Sequence, residues 1–195
     1  MAMQRSLLNL VSVGFLLSVM AGANAQDDDE APASHEELQA RQMEIDTRSQ
    51  ATLDGLLEAN EGAKILFEQA AGYAAFTVTK AGAFLVTGAG GTGVAVNKGS
   101  GDRAYMRMGS GGVGFGIGAQ QYDLVILFED VPHLERFMDG GWDSSVTAQA
   151  AAGQEGINLT SSFIDGVAFF QITDKGLIAI ADVAGTRFWV ADTLN

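Results

Sequence analysis

The sequence predicts an α+β domain in which N-terminal helices pack on a curved or closed, mainly antiparallel β-sheet. Three observations carry that prediction. Apolar residues recur at helical intervals up to about residue 71, strand-like runs begin at Tyr73, and no strand-helix alternation follows that would build a parallel sheet. A long antiparallel sheet must also hide its edges, which curvature or closure achieves.

Taken in order, Ser34 and Glu37 have the spacing of a capping box, and Leu38, Met43, Ile45, Leu53, Leu56 and Leu57 follow at loosely helical intervals. A helix is therefore expected from Ser34 to Asn60, broken near Gly55 because glycine is a poor helix former. A second helix spans Glu61 to Ala71, with Ile65, Leu66, Phe67 and Ala70 as its buried face. Tyr73–Thr79 and Ala83–Thr87 read as strands separated by a turn at Lys80-Ala81-Gly82. Val94–Asn97 continues the series, Lys98–Asp102 is a turn, and Arg103–Met108 starts the next strand. Gly112, Gly114, Gly116 and Gly118 alternate with Val113, Phe115 and Ile117, so that strand has one bare face against which something packs closely. Tyr122–Phe128 is apolar throughout, as in a central strand buried on both faces. Pro132–Met138 reads as a surface helix carrying His133, Glu135 and Arg136, and Trp142 follows a Gly-Gly turn. Five further strands are expected at Val146–Ala152, Asn158–Phe163, Val167–Thr173, Gly176–Asp182 and Thr186–Ala191.

The segment ahead of the helices is of another kind. Arg5 forms a short basic start, Leu7 to Met20 is largely apolar, and Ala23-Asn24-Ala25 is a small-x-small cleavage pattern. Residues 1–25 are thus expected to be a signal peptide cleaved after Ala25, because 14 apolar residues fall short of the roughly 20 that a spanning helix needs. Residues 26–34, rich in Asp and Glu, are expected to be a disordered acidic tether, and residues 35–195 one domain. The chain has no Cys, hence neither a disulfide nor an acylation site of the lipoprotein type, and a periplasmic or secreted location is expected.

Composition narrows the function. With 47% hydrophobic and 18% charged residues the chain has ample apolar volume for a core. Net charge is −13, becoming −14 once Arg5 is removed with residues 1–25, and the remaining Lys and Arg are scattered between Arg41 and Arg187. Nucleic acid is therefore not an expected partner, since a polyanion binder needs a basic stripe.

Several chemical motifs fail on context. Gly88-Ala89-Gly90-Gly91-Thr92-Gly93 matches the dinucleotide fingerprint in letters, as does Gly109 to Gly114, but strand-like Val94-Ala95-Val96 and Phe115-Gly116-Ile117 follow where the fingerprint requires a helix N-terminus. Nucleophilic catalysis has no Cys and no G-x-S-x-G, and His133 is the lone imidazole outside the N-terminal region that holds His35. No His pair stands at metal-ligand spacing, and Asp27–Glu30 lacks the pattern of a calcium loop. Asp143, Asp165, Asp174 and Asp182 sit where turns ordinarily place Asp. No catalytic residue, metal or cofactor is expected.

The remaining motifs resemble those of the SYLF domain family. Lys80-Ala81-Gly82, Phe84-Leu85-Val86-Thr87, Gly90-Gly91-Thr92-Gly93, Gly112–Gly118, Asp123-Leu124-Val125-Ile126-Leu127, Lys175-Gly176-Leu177 and Gly185-Thr186 occur in that family's order across about 145 residues, from Ala51 to Asn195. The resemblance implies a compact domain in which an N-terminal helix packs on a β-rich body, and it implies membrane-lipid binding. Eukaryotic members bind phosphoinositides and some bundle actin, though actin is not an expected partner of an exported bacterial-type chain. The expected function is a non-enzymatic lipid-binding module acting peripherally on membrane phospholipid; the alternative is an envelope protein-interaction or scaffold domain without lipid affinity. Lys64, Lys80, Arg103, Arg107, Lys175 and Arg187 are the candidate lipid-binding cations. Each contributes about 1 kcal/mol at an anionic surface, so four give about 4 kcal/mol, close to millimolar affinity. Burial of aromatic or aliphatic side chains, about 1.5–3 kcal/mol each, must therefore supply the larger share.

Overall fold

The computed structural model describes residues 34–83, 86–113, 118–143, 162–173, 176–179 and 186–195. Helix α1 runs from His35 to Ala59 behind the capping box predicted for it: the Ser34 hydroxyl accepts from the Glu37 amide, and the Glu37 carboxylate accepts from the Ser34 amide at 2.9 Å. The Ser34 amide and the Ser34 hydroxyl, which both donate to Glu37 Oε2, hold that carboxyl below the usual carboxylate range, the backbone bond being the main cause. The expected break at Gly55 does not occur. Buried Leu53 and Leu56 anchor the helix on either side of it, and this packing outweighs a propensity penalty of about 1 kcal/mol. Helix α2 (Glu61–Gln69) buries Ala63 and Leu66, whereas Ile65, expected in its buried face, is 49% exposed. Its C-terminal carbonyls are satisfied from outside: Lys98 Nζ donates to Phe67 O and, at 3.0 Å, to Ala70 O, and lies 4.3 Å from the Phe67 ring centre.

The strands are β1 (Gly72–Ala83), β2 (Val86–Asn97), β3 (Arg103–Val113), β4 (Gly118–Phe128), β5 (Trp142–Asp143), β6 (Val167–Thr173), β7 (Gly176–Ala179) and β8 (Thr186–Val190), with helix α3 (Val131–Gly140) between β4 and β5. Among the described residues they form one sheet of order β5-β8-β3-β2-β1-β4-β6-β7, and every pairing is antiparallel. Two expected boundaries are corrected. Lys80-Ala81-Gly82 is not a turn: β1 continues through it, paired with Ala89, Gly88 and Thr87 on one side and with Gln120, Ala119 and Gly118 on the other. The glycine-alternating stretch is not one strand either, since Gly112 and Val113 end β3 while Gly118 begins β4, on opposite sides of the β1–β2 pair. Gly114, Gly116, Phe115 and Ile117 lie outside the described residues, as do Phe84, Leu85, the predicted strand Val146–Ala152, most of Asn158–Phe163 and the second half of Gly176–Asp182.

Alternation along the strands divides the interior into two cores. Tyr73, Ala75, Val94, Tyr105, Val125 and Leu127 face α1 and α2, while Ala74, Phe76, Ala95, Met106, Leu124 and Ile126 face α3. Five consecutive buried residues, Leu124–Phe128, identify β4 as the predicted strand covered on both faces. The α3 side is concave and aromatic: the Phe137 ring lies 5.0 Å from Phe128, 5.4 Å from Phe188 and 6.3 Å from Phe76. Curvature brings the margins together through side chains, with Trp142 of β5 stacked on Phe169 of β6 at 5.9 Å. The described edges β5 and β7 do not pair with each other, so the sheet is curved and not closed.

Glycine makes that curvature possible. A Cβ on Gly93 would sit 2.1 Å from the Ala75 carbonyl oxygen and 2.6 Å from the Phe76 ring. Replacing it with Val is expected to destabilise the domain by about 3 kcal/mol or more in chemical denaturation, whereas Gly111→Ala, with open space at its Cβ, stays within about 0.5 kcal/mol.

All three tyrosines, Tyr73, Tyr105 and Tyr122, have phenols raised above their ordinary 10.0, chiefly by burial. A raised folded-state value means the native protein holds these protons longer than the unfolded chain does. Their contribution to stability is therefore complete below pH 10 and falls as pH rises through the native values. A tyrosinate absorbance titration is expected to show midpoints above 10, with unfolding free energy declining over the same range.

Candidate binding surface

Helix α1 lies across the face of the sheet opposite α3, and a few polar contacts fix where it sits. Ser49 Oγ donates to Ala75 O at 3.2 Å, and Gln42 Nε2 donates to Leu194 O at 2.8 Å. Tyr105 OH donates to Asp46 Oδ2 at 3.2 Å, and Arg103 Nη1 lies 2.8 Å from the buried Asp46 Oδ1, close enough for an ion pair though not aligned as a hydrogen bond. Asn195 extends this tie, its side chain donating to Tyr105 O and accepting from Tyr105 N, each at 2.9 Å.

Below the helix the sheet changes character row by row. Val125, Ala75, Val94 and Tyr105 are register partners across four strands, and all are buried. One step along on the same face the partners are Asp123, Thr77, Thr92, Arg107 and Trp189. The next row is Gln121, Thr79, Gly90, Gly109 and Arg187. Apolar packing thus gives way to threonine, glycine and arginine. The N-terminal half of α1 overhangs this polar surface, and the space beneath it forms two adjoining troughs of about 450 and 430 Å³ that share Arg48, Thr77 and Gln121. Arg41, Arg48 and Arg107 all line the larger one.

The six predicted cations are not gathered into one site. Arg107 and Arg187 share the polar face described above, flanking Trp189, which is 40% exposed and lies over the backbone of Gly109, its ring 3.1 Å from where a Cβ would be. Arg103 is committed to Asp46. Lys80 falls in the alternation of β1 that faces α3, and Lys64 is exposed on α2. Lys175 lies outside the described residues. The sequence reading missed Arg41 and Arg48, which sit on an otherwise acidic helix, and it missed Trp189. The signal for Trp189 was present, since it lies between the apolar Phe188 and Val190, which turn toward the α3 side, and so had to face the other way.

Residues weighed for chemistry have structural tasks. Asp130 caps α3, accepting from the His133 amide at 3.0 Å and contacting His133 Nδ1 at 2.6 Å, and these two bonds hold its carboxyl below the usual range. Asp165 occupies a turn with φ of 49°, and Asp143 lies in β5; Asp174 and Asp182 are outside the described residues. Among the described residues no cluster of three His, Asp or Glu is placed to hold a metal, and no helix is long and apolar enough to cross a membrane.

Fold and surface together define a β-rich module with helices on both faces of a curved sheet and an open polar trough on one of them. Residues 109–195 match the family described as Ysc84, Las17-binding protein actin regulator, in agreement with the SYLF resemblance of the sequence motifs. It is also similar to "Beta cell expansion factor A" of Aeromonas veronii, 37% identical over 151 residues that cover 77% of this chain. The chain spans 58% of that relative's length.

The tie between α1 and the sheet is testable by a double-mutant cycle. Asp46→Ala is expected to lower stability by about 1 kcal/mol, a modest value because the ion pair is partly solvated. Arg103→Ala added to it is expected to cost less than it does alone, with a coupling of at least about 0.5 kcal/mol in urea denaturation.

Proposed function

We propose that the protein is a non-enzymatic lipid-binding module that acts peripherally at a membrane, in the periplasm or cell envelope, after cleavage following Ala25. The observation that carries this reading is the exposed Trp189 between Arg107 and Arg187 on one face of β3 and β8. An indole with flanking guanidiniums suits the interface of an anionic bilayer, the ring entering the headgroup boundary while the cations stay with the phosphates. Burying Trp189 contributes about 1.5–3 kcal/mol and each Arg about 1 kcal/mol. The sum, about 3.5–5 kcal/mol, corresponds to roughly millimolar binding, which is reversible attachment. The family match supports the same reading, as does the signal-like composition of residues 1–25.

A scaffold role without lipid affinity is favoured by a different observation, the acidic exposed side of α1 with Glu36, Glu44, Asp54 and Glu58. Co-sedimentation with phosphatidylglycerol vesicles separates the two. Binding that falls at least about threefold in Trp189→Ala and in Arg187→Gln is the expected result. Absence of sedimentation with any bacterial phospholipid, together with one dominant crosslinked protein partner in cells, would decide for the scaffold.

A further inference from the structure

The larger trough beneath α1 has a chemistry of its own, distinct from the outward-facing Trp189. Arg107 approaches it from β3 and makes no hydrogen bond or ion pair with another described residue. Arg41 and Arg48 approach from the helix above, Arg48 also reaching Glu44 at 3.0 Å. The floor is the Thr77–Thr92 register pair, with Thr79 one step beyond. Gly90 and Gly91 follow in β2, and Gly90 has no side chain to keep a ligand off the strand.

Among the described lining residues three guanidiniums face a floor of hydroxyls, with Glu44 as the carboxylate at the margin and Arg41 also engaged by a group outside that lining. Guanidinium forks match tetrahedral oxyanions in geometry as well as charge, and threonine hydroxyls supply further donors at the same site. A volume of about 450 Å³ falls within the range of small-molecule sites and exceeds what a phosphate group alone fills. The neighbouring trough sets the direction in which the ligand lies, because Asp123 lines that one and not the larger. A second anionic group there would meet a carboxylate, whereas a hydroxyl or ammonium would find an acceptor.

We infer that the trough bounded by Arg41, Arg48, Arg107, Thr77, Thr79 and Thr92 is a binding site for a phosphate ester, with the phosphate at the arginines and its uncharged or cationic substituent directed toward Asp123. The ligand class is shared by a phospholipid headgroup and by a soluble phosphate ester. The site therefore does not depend on the membrane reading, although a headgroup in the trough would deepen it.

The test titrates the full chain with glycerol 3-phosphate and follows the amide resonances of Thr77, Thr79, Gly90 and Thr92, with sodium chloride at matched ionic strength as control. Saturable shifts confined to these residues are expected, with affinity reduced about tenfold or more in Arg107→Gln and less in Arg107→Lys. Arg136→Gln, at an exposed cation of α3 on the opposite face of the sheet, is expected to leave the affinity unchanged. Phosphatidylglycerol vesicles form the second arm. Competition between vesicles and glycerol 3-phosphate assigns the site to headgroups; saturable binding without competition assigns it to a soluble ester and leaves the site standing even where the membrane reading fails. Shifts that sodium chloride reproduces, or an affinity that Arg107→Gln does not change, overturn the site whatever the vesicles do.

Discussion

The structure depends on the sheet bending tightly enough to wrap one aromatic cluster. Phe76, Phe128, Phe137 and Phe188 are all nearly fully buried, and they can meet only because the strands around them curl toward α3. Close approach at Gly93, where neighbouring backbone and the Phe76 ring occupy the space of a side chain, permits that bend in β2. Gly141 serves the same end at the margin: with φ of 68° it delivers Trp142 to β5, beside the Phe188 backbone and against Phe169. A flatter sheet would leave these rings exposed and separate the two margins.

Once the concave side is filled, the other face is left with a division of labour. Its upper rows are apolar and take the weight of α1 and α2; its lower rows are Thr, Gly and Arg. The transition occurs within a single strand, as Tyr73 and Ala75 give way to Thr77 and Thr79, and the partner strand makes the same change from Val94 to Thr92 and Gly90. Because α1 is one unbroken rod of 25 residues, anchoring its C-terminal half on the apolar rows projects its N-terminal half over the polar ones. The trough is a geometric consequence of a straight helix over a surface that changes polarity.

Much of this was legible in the residues. The capping box at Ser34, the limits of Val167–Thr173 and the α+β class all follow from local pattern and the structure agrees with each, while the two-sided burial expected of Tyr122–Phe128 holds from Leu124 onward. The misread places have a common cause. Lys80-Ala81-Gly82 and Gly55 are weak formers of strand or helix held in place by tertiary contacts, the pairing with Gln120 and Ala89 in the first case and the burial of neighbouring Leu53 and Leu56 against the sheet in the second. Site residues were harder. Charge type marks Arg107 and Arg187 as candidates, but only register brings them beside Trp189, and only the overhang of α1 adds Arg41 and Arg48.

The central claim is that this particular face, and not the aromatic side or a sheet edge, meets the ligand. Hydrogen exchange with and without phosphatidylglycerol vesicles addresses it directly. The account predicts slowed exchange at 105–110, 187–190 and 41–48, with α3 and β6 unchanged. Protection confined to α3 and β6, with those three segments unaffected, would contradict it.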